Sequence, residues 1–345
     1  MMIVRPIESA DIAALERLVM AGGVGLTNLP RDPGVLRERI SESARAFAAE
    51  VSAPGEQRYL FVLEDTEAGA VAGTCGIVAA VGLSEAFYSY RVGVVVHASR
   101  ELGVYNQMPT LYLSNDHTGC TELIGLLLAP HYRRGDNGRL LSKARLLFLA
   151  EHADRFAEKV FAEMRGVSDE SGRSPFWEAL GRHFFTMDFP RADYLSGVLS
   201  KAFIAELMPK YPLYVPLLSE EAQRVIGQPH EMTRAAMRML EEEGFRQEGY
   251  VDIFDAGPTL ESRLKDIRAV RESRRASATI ADSPSGGELH LVSNARLAGF
   301  RSCLARTALG HPETVQLSAA TARCLDLAEG DPLRVVPLRP RGGNT

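Results

Sequence analysis

The sequence lacks the residue patterns of several large protein classes. Its four cysteines, Cys75, Cys120, Cys303 and Cys324, are scattered without a CxxC pair. This argues against a disulfide framework or a cysteine-based zinc site and predicts buried thiols. The eight histidines show no HxxxH or HExxH spacing, so the sequence predicts no metal site.

Long apolar runs and long basic runs are also missing. No stretch reaches the roughly 18 apolar residues that a membrane-spanning helix needs, and Arg5, Glu8 and Asp11 interrupt the N-terminus where a signal peptide requires an apolar core. A net charge of −5 argues against a nucleic-acid-binding surface. We therefore expect a cytoplasmic protein that acts on small molecules, without a membrane or nucleic-acid partner.

What the sequence does contain is enough apolar residues for a sizeable core. With 345 residues, 46% of them hydrophobic, it predicts one large or two modest domains. Apolar periodicity and turn residues predict the following early elements: a strand at 2–7, a helix at 9–22 capped by Ser9, a helix at 32–50, strands at 58–65 and 69–82, and an inserted pair of strands within 83–118.

The most distinctive local feature is the stretch HYRRGDNGRLL, residues 131–141. An apolar strand at 121–130 precedes it, and an amphipathic helix from Gly138 follows it. Unpaired N–H groups and the positive dipole at a helix N-terminus favour phosphate binding, and glycine allows a close approach. The same residues also fit a solvated strand-to-helix connection with surface arginines, and the local pattern does not decide between the two.

The order of elements resembles the GNAT acyl-CoA N-acyltransferases. A strand at 159–167 and a helix at 174–185 complete the order, and RPIESADIAALERL and SPFWEALGRHFF resemble GNAT segments. The resemblance implies a mixed, mostly antiparallel sheet flanked by helices. It also implies that residues 133–138 are the pyrophosphate loop R/Q-x-x-G-x-G/A, with Asp136 in place of its first glycine.

Longer segments resemble the arginine N-succinyltransferase family from Met1 to about Arg271. They include YLSNDHTG, AEMRGVSDESGRSPFWEALGRHFFTMDFPRADYLSG and EEEGFRQEGYVDIFDAGPTLE. The resemblance implies transfer of the succinyl group of succinyl-CoA to the α-amine of L-arginine, in arginine catabolism. Succinyl-CoA is then a co-substrate, and no further cofactor is expected. We predict a GNAT-like body at 1–271, a polar linker at 272–289 and a small β-rich module at 290–345.

The resemblance also assigns the succinyl-CoA contacts. In GNAT folds the strand corresponding to 121–130 splays from its neighbour. The resemblance therefore puts Leu126 beside the pantetheine arm, which would pair with the freed backbone groups as an added strand does. Backbone N–H groups from Arg134 to Gly138 would hold the pyrophosphate, Arg133 or Arg134 would add charge-assisted bonds, and Asn137 would replace a glycine at little conformational cost. Asp136 is expected to face solvent, because a carboxylate beside a diphosphate repels it.

For proton transfer the resemblance points to His230, in GQPHEMT. Many GNAT enzymes use a tyrosine where this chain has Trp177, and an indole cannot serve as the acid. An imidazole titrates near neutral pH. His117, in a polar cluster with Asn115 and Asp116, could instead orient substrate or act as the base.

The sequence leaves several questions open. Candidate groups for holding L-arginine are not ranked: Asp116, Glu163, Arg165, Asp169 and Glu170. The loop from Gly22 to Pro30 could close over the substrate. Alternative functions are acylation of ornithine or another basic amine, and a non-catalytic GNAT-like subunit. The inserted strands are expected to expose two apolar segments, AFYSY and VGVVV, which predicts a homo-oligomer or pairing with a related subunit.

Overall fold

The structure is a computed structural model that describes residues 1–22, 28–199, 202–281, 287–307 and 313–340. Most of the Gly22–Pro30 loop, part of the predicted linker and the last five residues therefore lie outside the described residues. In the described ranges, no helix is both long and apolar enough to cross a membrane.

In the first half of the chain one strand is followed by two helices, five strands and a long helix, and strands dominate the C-terminal part. The strands are β1 (Met2–Pro6), β2 (Arg58–Asp65), β3 (Ala70–Val78), β4 (Ser89–Ser99), β5 (Val104–Ser114), β6 (Thr121–Leu128), β7 (Lys159–Glu163), β8 (Leu213–Tyr214), β9 (Arg246–Val251), β10 (Pro258–Arg263), β11 (Arg274–Ala281), β12 (Glu288–Asn294), β13 (Ser302–Thr307), β14 (Thr314–Ser318) and β15 (Pro332–Pro337). The helices are α1 (Ile12–Ala21), α2 (Pro33–Ala48), α3 (Asn137–Glu151), α4 (Pro175–Ala179), α5 (Gly181–Phe185), α6 (Phe189–Val198), α7 (Ala202–Leu207), α8 (Glu220–Val225), α9 (Arg234–Glu241), α10 (Arg268–Glu272) and α11 (Ala319–Leu325).

The described strands form one sheet in the order β14-β11-β15-β12-β13-β1-β2-β3-β6-β7-β10-β9-β4-β5-β8. Neighbours are antiparallel except for the pairs β6–β7 and β11–β14. Helices α1 and α2 pack on one face of the central strands, and α3 packs on the other. The predicted fold class, a mixed and mostly antiparallel sheet flanked by helices, is confirmed.

The central strands β6 and β7 pair over only a short distance. Thr121 pairs with Val160 and Glu122 pairs with Phe161, after which the strands separate. On its other edge β6 has an irregular register against β3, at Gly125, whose φ is +60°. Glycine adopts this left-handed conformation without the penalty that a Cβ brings. The parting of β6 and β7 leaves an opening in the middle of the sheet.

Most elements predicted from the early sequence are present, with shifted ends. The N-terminal helix starts with a 3-10 turn at Ser9–Asp11, so Ser9 lies inside the turn and does not cap the helix. Helix α2 begins as predicted, because the Asp32 side chain accepts a hydrogen bond from the Val35 N–H and Pro33 occupies the first turn. The inserted segment is the β4–β5 hairpin. The helix predicted at 174–185 is broken at Leu180 into α4 and α5.

The prediction of an irregular linker is wrong for residues 274–281. These residues form β11, which pairs with β14 and β15; the polar composition did not reveal that small side chains at 276 and 278 are buried in a sheet. The C-terminal strands do not form a separate sheet, because β13 pairs with β1. They extend the central sheet at one edge.

The cysteines are unpaired, and the thiols of Cys75, Cys120 and Cys303 are buried, as predicted. Burial raises the pKa of the Cys75 and Cys303 thiols to about 12. They are therefore not nucleophiles at neutral pH. Cys324 is half-buried.

Candidate active site

A cavity of about 240 Å³ lies where β6 and β7 separate. Residues 122–126 of β6 and the end of β7 form its walls, and segments from α2, β2, α6 and α9 close it. The lining includes nine charged side chains: Arg39, Arg58, Arg145, Arg165, Glu122, Glu163, Asp193, Asp252 and Asp255. Such a mixture of charges in one cavity suits a substrate that carries charges of both signs.

Leu126 is half-buried and lines this cavity. It follows Gly125, where the register of β6 against β3 shifts. The stretch after Glu122 pairs with β3 on one edge only, because β7 has moved away. Its other edge does not pair with β7.

The buried guanidinium of Arg145 supports this stretch from beneath. Its Nη1 donates to the carbonyl oxygens of Ile124, at 3.3 Å, and Gly76, at 3.4 Å. Arg145 is only 2% exposed, and burial lowers its pKa. The side chain thus holds β3 and β6 together where their register is irregular.

The basic loop leads from β6 to the start of α3, beside the cavity but outside its lining. Arg134 and Gly135 are exposed, and Gly135 has a φ of +56°. Arg133 is also exposed, and its Nε donates to the Leu128 carbonyl at 3.0 Å. Asn137 opens α3, and its Nδ2 donates to the Tyr132 carbonyl at 3.1 Å.

Gly138 lies in the first turn of α3, where backbone N–H groups have no partner within the helix. A Cβ added there would meet no described atom closer than 4.0 Å. Asp136 precedes the helix, and its carboxylate lies 3.7 Å from Arg139 and 3.5 Å from Arg339. These two cations balance the charge that would otherwise repel a diphosphate.

His230 lies beside the segment that follows β7, and Arg165 of that segment lines the cavity. Its N–H donates to the Arg165 carbonyl at 2.7 Å, and the preceding Pro229 forms a bridge with Gly166. The ring Nδ1 accepts from the Met232 N–H at 3.1 Å. Burial, followed by the charge of Arg165, lowers the pKa of His230, so the neutral ring predominates at pH 7.

Other candidates from the sequence have structural partners. His117 is fully buried, its Nδ1 lies 3.0 Å from Ser89 Oγ, and its Nε2 lies 2.5 Å from Glu261 Oε1. Trp177 is also fully buried, and its Nε1 donates to the Met187 carbonyl at 2.9 Å. Both rings are therefore part of the hydrogen-bonded protein interior.

Of the five residues left unranked for L-arginine, Glu163 and Arg165 line the cavity. Asp116 accepts from the Tyr250 hydroxyl at 2.7 Å, and Asp169 accepts from the Arg173 N–H at 2.9 Å in an exposed turn. Glu170 is exposed. The last three lie outside the cavity lining.

Sequence reasoning missed three acidic side chains that line the cavity, Asp193, Asp252 and Asp255. Asp255 is 5% exposed, and its carboxylate accepts from the N–H groups of Gly166, at 2.7 Å, and Gly257, at 2.8 Å. Burial, then the charge of Asp252, raises its pKa well above the usual range. A Cβ on Gly257 would lie 2.0 Å from the Met164 carbonyl oxygen, so only glycine permits this approach. The only sequence signal for this arrangement was the presence of Gly166 and Gly257 in the segments that resemble the family.

No cluster of three or more His, Cys, Asp or Glu side chains arranged for a metal occurs in the described part of the chain.

Comparison with known proteins identifies close relatives. The family model described as "Arginine N-succinyltransferase beta subunit" matches residues 2–269, and the model for its C-terminal domain matches residues 274–337. The chain is 51% identical, over 342 residues and 98% of either sequence, to arginine N-succinyltransferases from Citrobacter koseri and Salmonella newport. It is 39% identical to the arginine/ornithine succinyltransferase subunit AI from Pseudomonas aeruginosa, with a TM-score of 0.91 over 99% of both chains.

Proposed function

The chain belongs to the arginine N-succinyltransferase family, and we propose that it transfers the succinyl group of succinyl-CoA to the α-amine of L-arginine. The observation that carries the proposal is the cavity between the separated strands β6 and β7, which has cationic and acidic side chains in one enclosure. The products would be N2-succinylarginine and CoA, and the reaction would open arginine catabolism. Succinyl-CoA would act as a co-substrate without a further cofactor.

The pantetheine arm would pair with the free edge of β6 near Leu126, as a strand added to a sheet. Its pyrophosphate would then reach the start of α3, where the N–H groups from Arg134 to Gly138 favour an anion. Arg133 and Arg134 would add charge-assisted bonds, and Asn137 would shape the loop. The exposure of both arginines supports this role, since a ligand could reach them.

In the reaction, the amine nitrogen of L-arginine would attack the thioester carbon. A C–N bond forms and the C–S bond breaks, while the negative charge that develops on oxygen would be stabilised by backbone N–H groups of the separated stretch of β6. His230 would take up the proton that the amine loses and return it to the departing thiolate. Its lowered pKa supports this role, because the ring must be neutral to accept a proton.

The acidic side of the cavity would bind the guanidinium of L-arginine. Asp193, Asp252 and Asp255 line the cavity, with Arg165 close to Asp193 and Asp255, and a carboxylate can pair with a guanidinium through two hydrogen bonds. An ammonium could also bind there. Ornithine is therefore the second candidate acceptor, and the name of the Pseudomonas relative includes it.

Release of free CoA tests the proposal directly. The purified chain would be incubated with succinyl-CoA and either L-arginine, L-ornithine or L-lysine, and the product of each reaction identified by mass. We expect turnover with arginine to exceed that with lysine. Release of CoA with ornithine alone would transfer the assignment to ornithine, and no release with any amine would favour the non-catalytic subunit.

We also propose that the β4–β5 hairpin contacts another subunit, either a second copy or a related chain. Val94 is 60% exposed, Val96 48% and Tyr105 64%, and large exposed apolar side chains grouped on one ribbon suit an interface. By contrast, Phe87 and Tyr90 in AFYSY are buried, so the prediction that this segment is exposed was wrong. A mass in solution that stays that of one chain as concentration rises would contradict self-association.

The cytoplasmic location stays a prediction.

A further inference from the structure

Two arginines come together at the cationic side of the cavity. Arg39 projects from α2 and Arg58 from β2, and both line the cavity near Glu122. They share one carboxylate oxygen, because Glu42 Oε2 lies 3.0 Å from Arg39 Nη1 and 3.2 Å from Arg58 Nε. One acidic side chain thus serves two guanidinium groups.

Hydrogen-bonding capacity remains in this pair. Arg39 Nε and Arg58 Nη1 are buried and have no hydrogen-bond partner among the described residues. Burial, then the charge of Arg39, lowers the pKa of Arg58, and the carboxylates of Glu42 and Glu122 do not fully offset these two effects. Buried donors without partners cost free energy that a bound acceptor would recover.

The sheet register puts this pair beside the expected reaction centre. Arg58 is opposite Val78, Val78 is opposite Glu122, and Glu122 is the last residue of β6 paired with β7. Directly opposed residues project from the same face. Two strand spacings of about 4.8 Å separate Arg58 from Glu122, and an arginine side chain facing a four-carbon acyl group can span that distance.

We propose that Arg39 and Arg58 together bind a carboxylate of a substrate. The inference rests on the proposed function, in which the substrates carry two such groups, the distal carboxylate of the succinyl chain and the α-carboxylate of L-arginine. Either group would accept hydrogen bonds from the two unpaired donors, one on each guanidinium. The pair would then reject substrates in which a methyl group or a hydrogen atom replaces that carboxylate.

The experiment compares matched substrates on Arg58→Gln, which keeps hydrogen bonding and removes the charge. In the donor arm, succinyl-CoA is compared with butyryl-CoA, which has the same chain length without the carboxylate. In the acceptor arm, L-arginine is compared with agmatine, which lacks the α-carboxylate. We expect kcat/KM to fall about 10- to 100-fold for the carboxylate-bearing member of one pair, and to change little for its uncharged partner. The arm that shows this loss identifies which carboxylate is bound.

Controls separate the possible failures. Arg45→Gln removes an exposed arginine from the same helix α2 and should leave all four values unchanged. Should Arg58→Gln fail to fold, as judged by circular dichroism, Arg39→Gln at the less buried position carries the same test. Equal losses for both members of both pairs, or no loss, in a folded variant would overturn the inference. An inactive wild-type chain would instead refute the proposed function.

Discussion

Replacing His230 with alanine tests the proton-transfer step with little disturbance of the fold. The ring is half-buried, its Nδ1 accepts a hydrogen bond from the Met232 N–H, and the ring also forms a hydrogen bond with the Ser168 backbone. The bond that fixes the loop to β7, from the His230 N–H to the Arg165 carbonyl, belongs to the backbone. The variant therefore loses the imidazole and keeps the attachment of the loop.

The expected loss follows from the role of the ring. A positioned acid–base group contributes about 10²- to 10⁴-fold to the rate, which corresponds to about 2.7–5.5 kcal/mol of transition-state stabilisation. In the proposed role His230 acts on the proton of the attacking amine and does not hold succinyl-CoA in the ground state. We therefore expect kcat to fall by that factor in His230→Ala, with little change in the KM for succinyl-CoA.

The pH dependence supplies an independent signature. Burial and the charge of Arg165 lower the pKa of His230, so its neutral form predominates above the ordinary histidine value of about 6.5. If the neutral ring accepts the proton, wild-type kcat/KM should decrease as pH falls through a midpoint below about 6.5. His230→Ala should lack this acidic limb.

The assay follows CoA release with a thiol reagent, at saturating L-arginine, across pH 5–9. His183→Ala, which removes an exposed histidine, is the matched control. Wild-type turnover by His230→Ala would refute the assignment. So would a loss that appears only in KM, because it would mean that the ring binds substrate.

Three further variants test other parts of the molecule. Gly138→Val has room for its Cβ in the protein alone, so it should fold normally yet weaken CoA binding in calorimetry at least tenfold; unchanged affinity would end the pyrophosphate assignment. Asp136→Gly should leave CoA affinity equal or better by at most about 1 kcal/mol, and a sharp loss would make Asp136 a ligand contact. Glu243→Gln removes the nearest anion of the buried cations Lys143 and Arg268, 2.8 and 2.6 Å from the carboxylate, and leaves each with one carboxylate at 3.4 Å. It should lower the free energy of unfolding in urea by about 3–5 kcal/mol, and a loss under 1 kcal/mol would contradict this.

Local patterns predicted the elements that surround the opening between β6 and β7. The strand–loop–helix unit around residues 121–151 was visible because apolar periodicity changes across a glycine-containing loop. The parting of β6 from β7 came from family resemblance, since pairing between strands more than 30 residues apart leaves no local signal. The bulge at Gly125 was equally hidden, because a single glycine in an apolar strand has several explanations.

The charged side chains of the cavity could not be predicted for a related reason. Arg39 and Arg58 come from a helix and a strand, and Asp193 and Asp255 come from segments more than 130 residues later. In the sequence each of them looks like a solvated surface residue, which is the usual state of such residues. Only the tertiary fold brings them into one enclosure.

The burial of the polar face of helix α3 was also hidden from the sequence, because tertiary contacts produce it. Its periodicity predicted an amphipathic helix with one face in water, yet Lys143 is 1% exposed and Glu151 is 9% exposed. The C-terminal segment covers that face: Lys143 Nζ donates to the Leu338 carbonyl at 3.1 Å, and Arg334 Nε lies 2.8 Å from Glu151. Because Glu151 pairs with Arg334, and Lys143 lies between Glu243 and the Leu338 carbonyl, the polar face of α3 is an interface within the chain. The helix whose N-terminus would receive the pyrophosphate is therefore fixed in place by the strands that extend the sheet at β1.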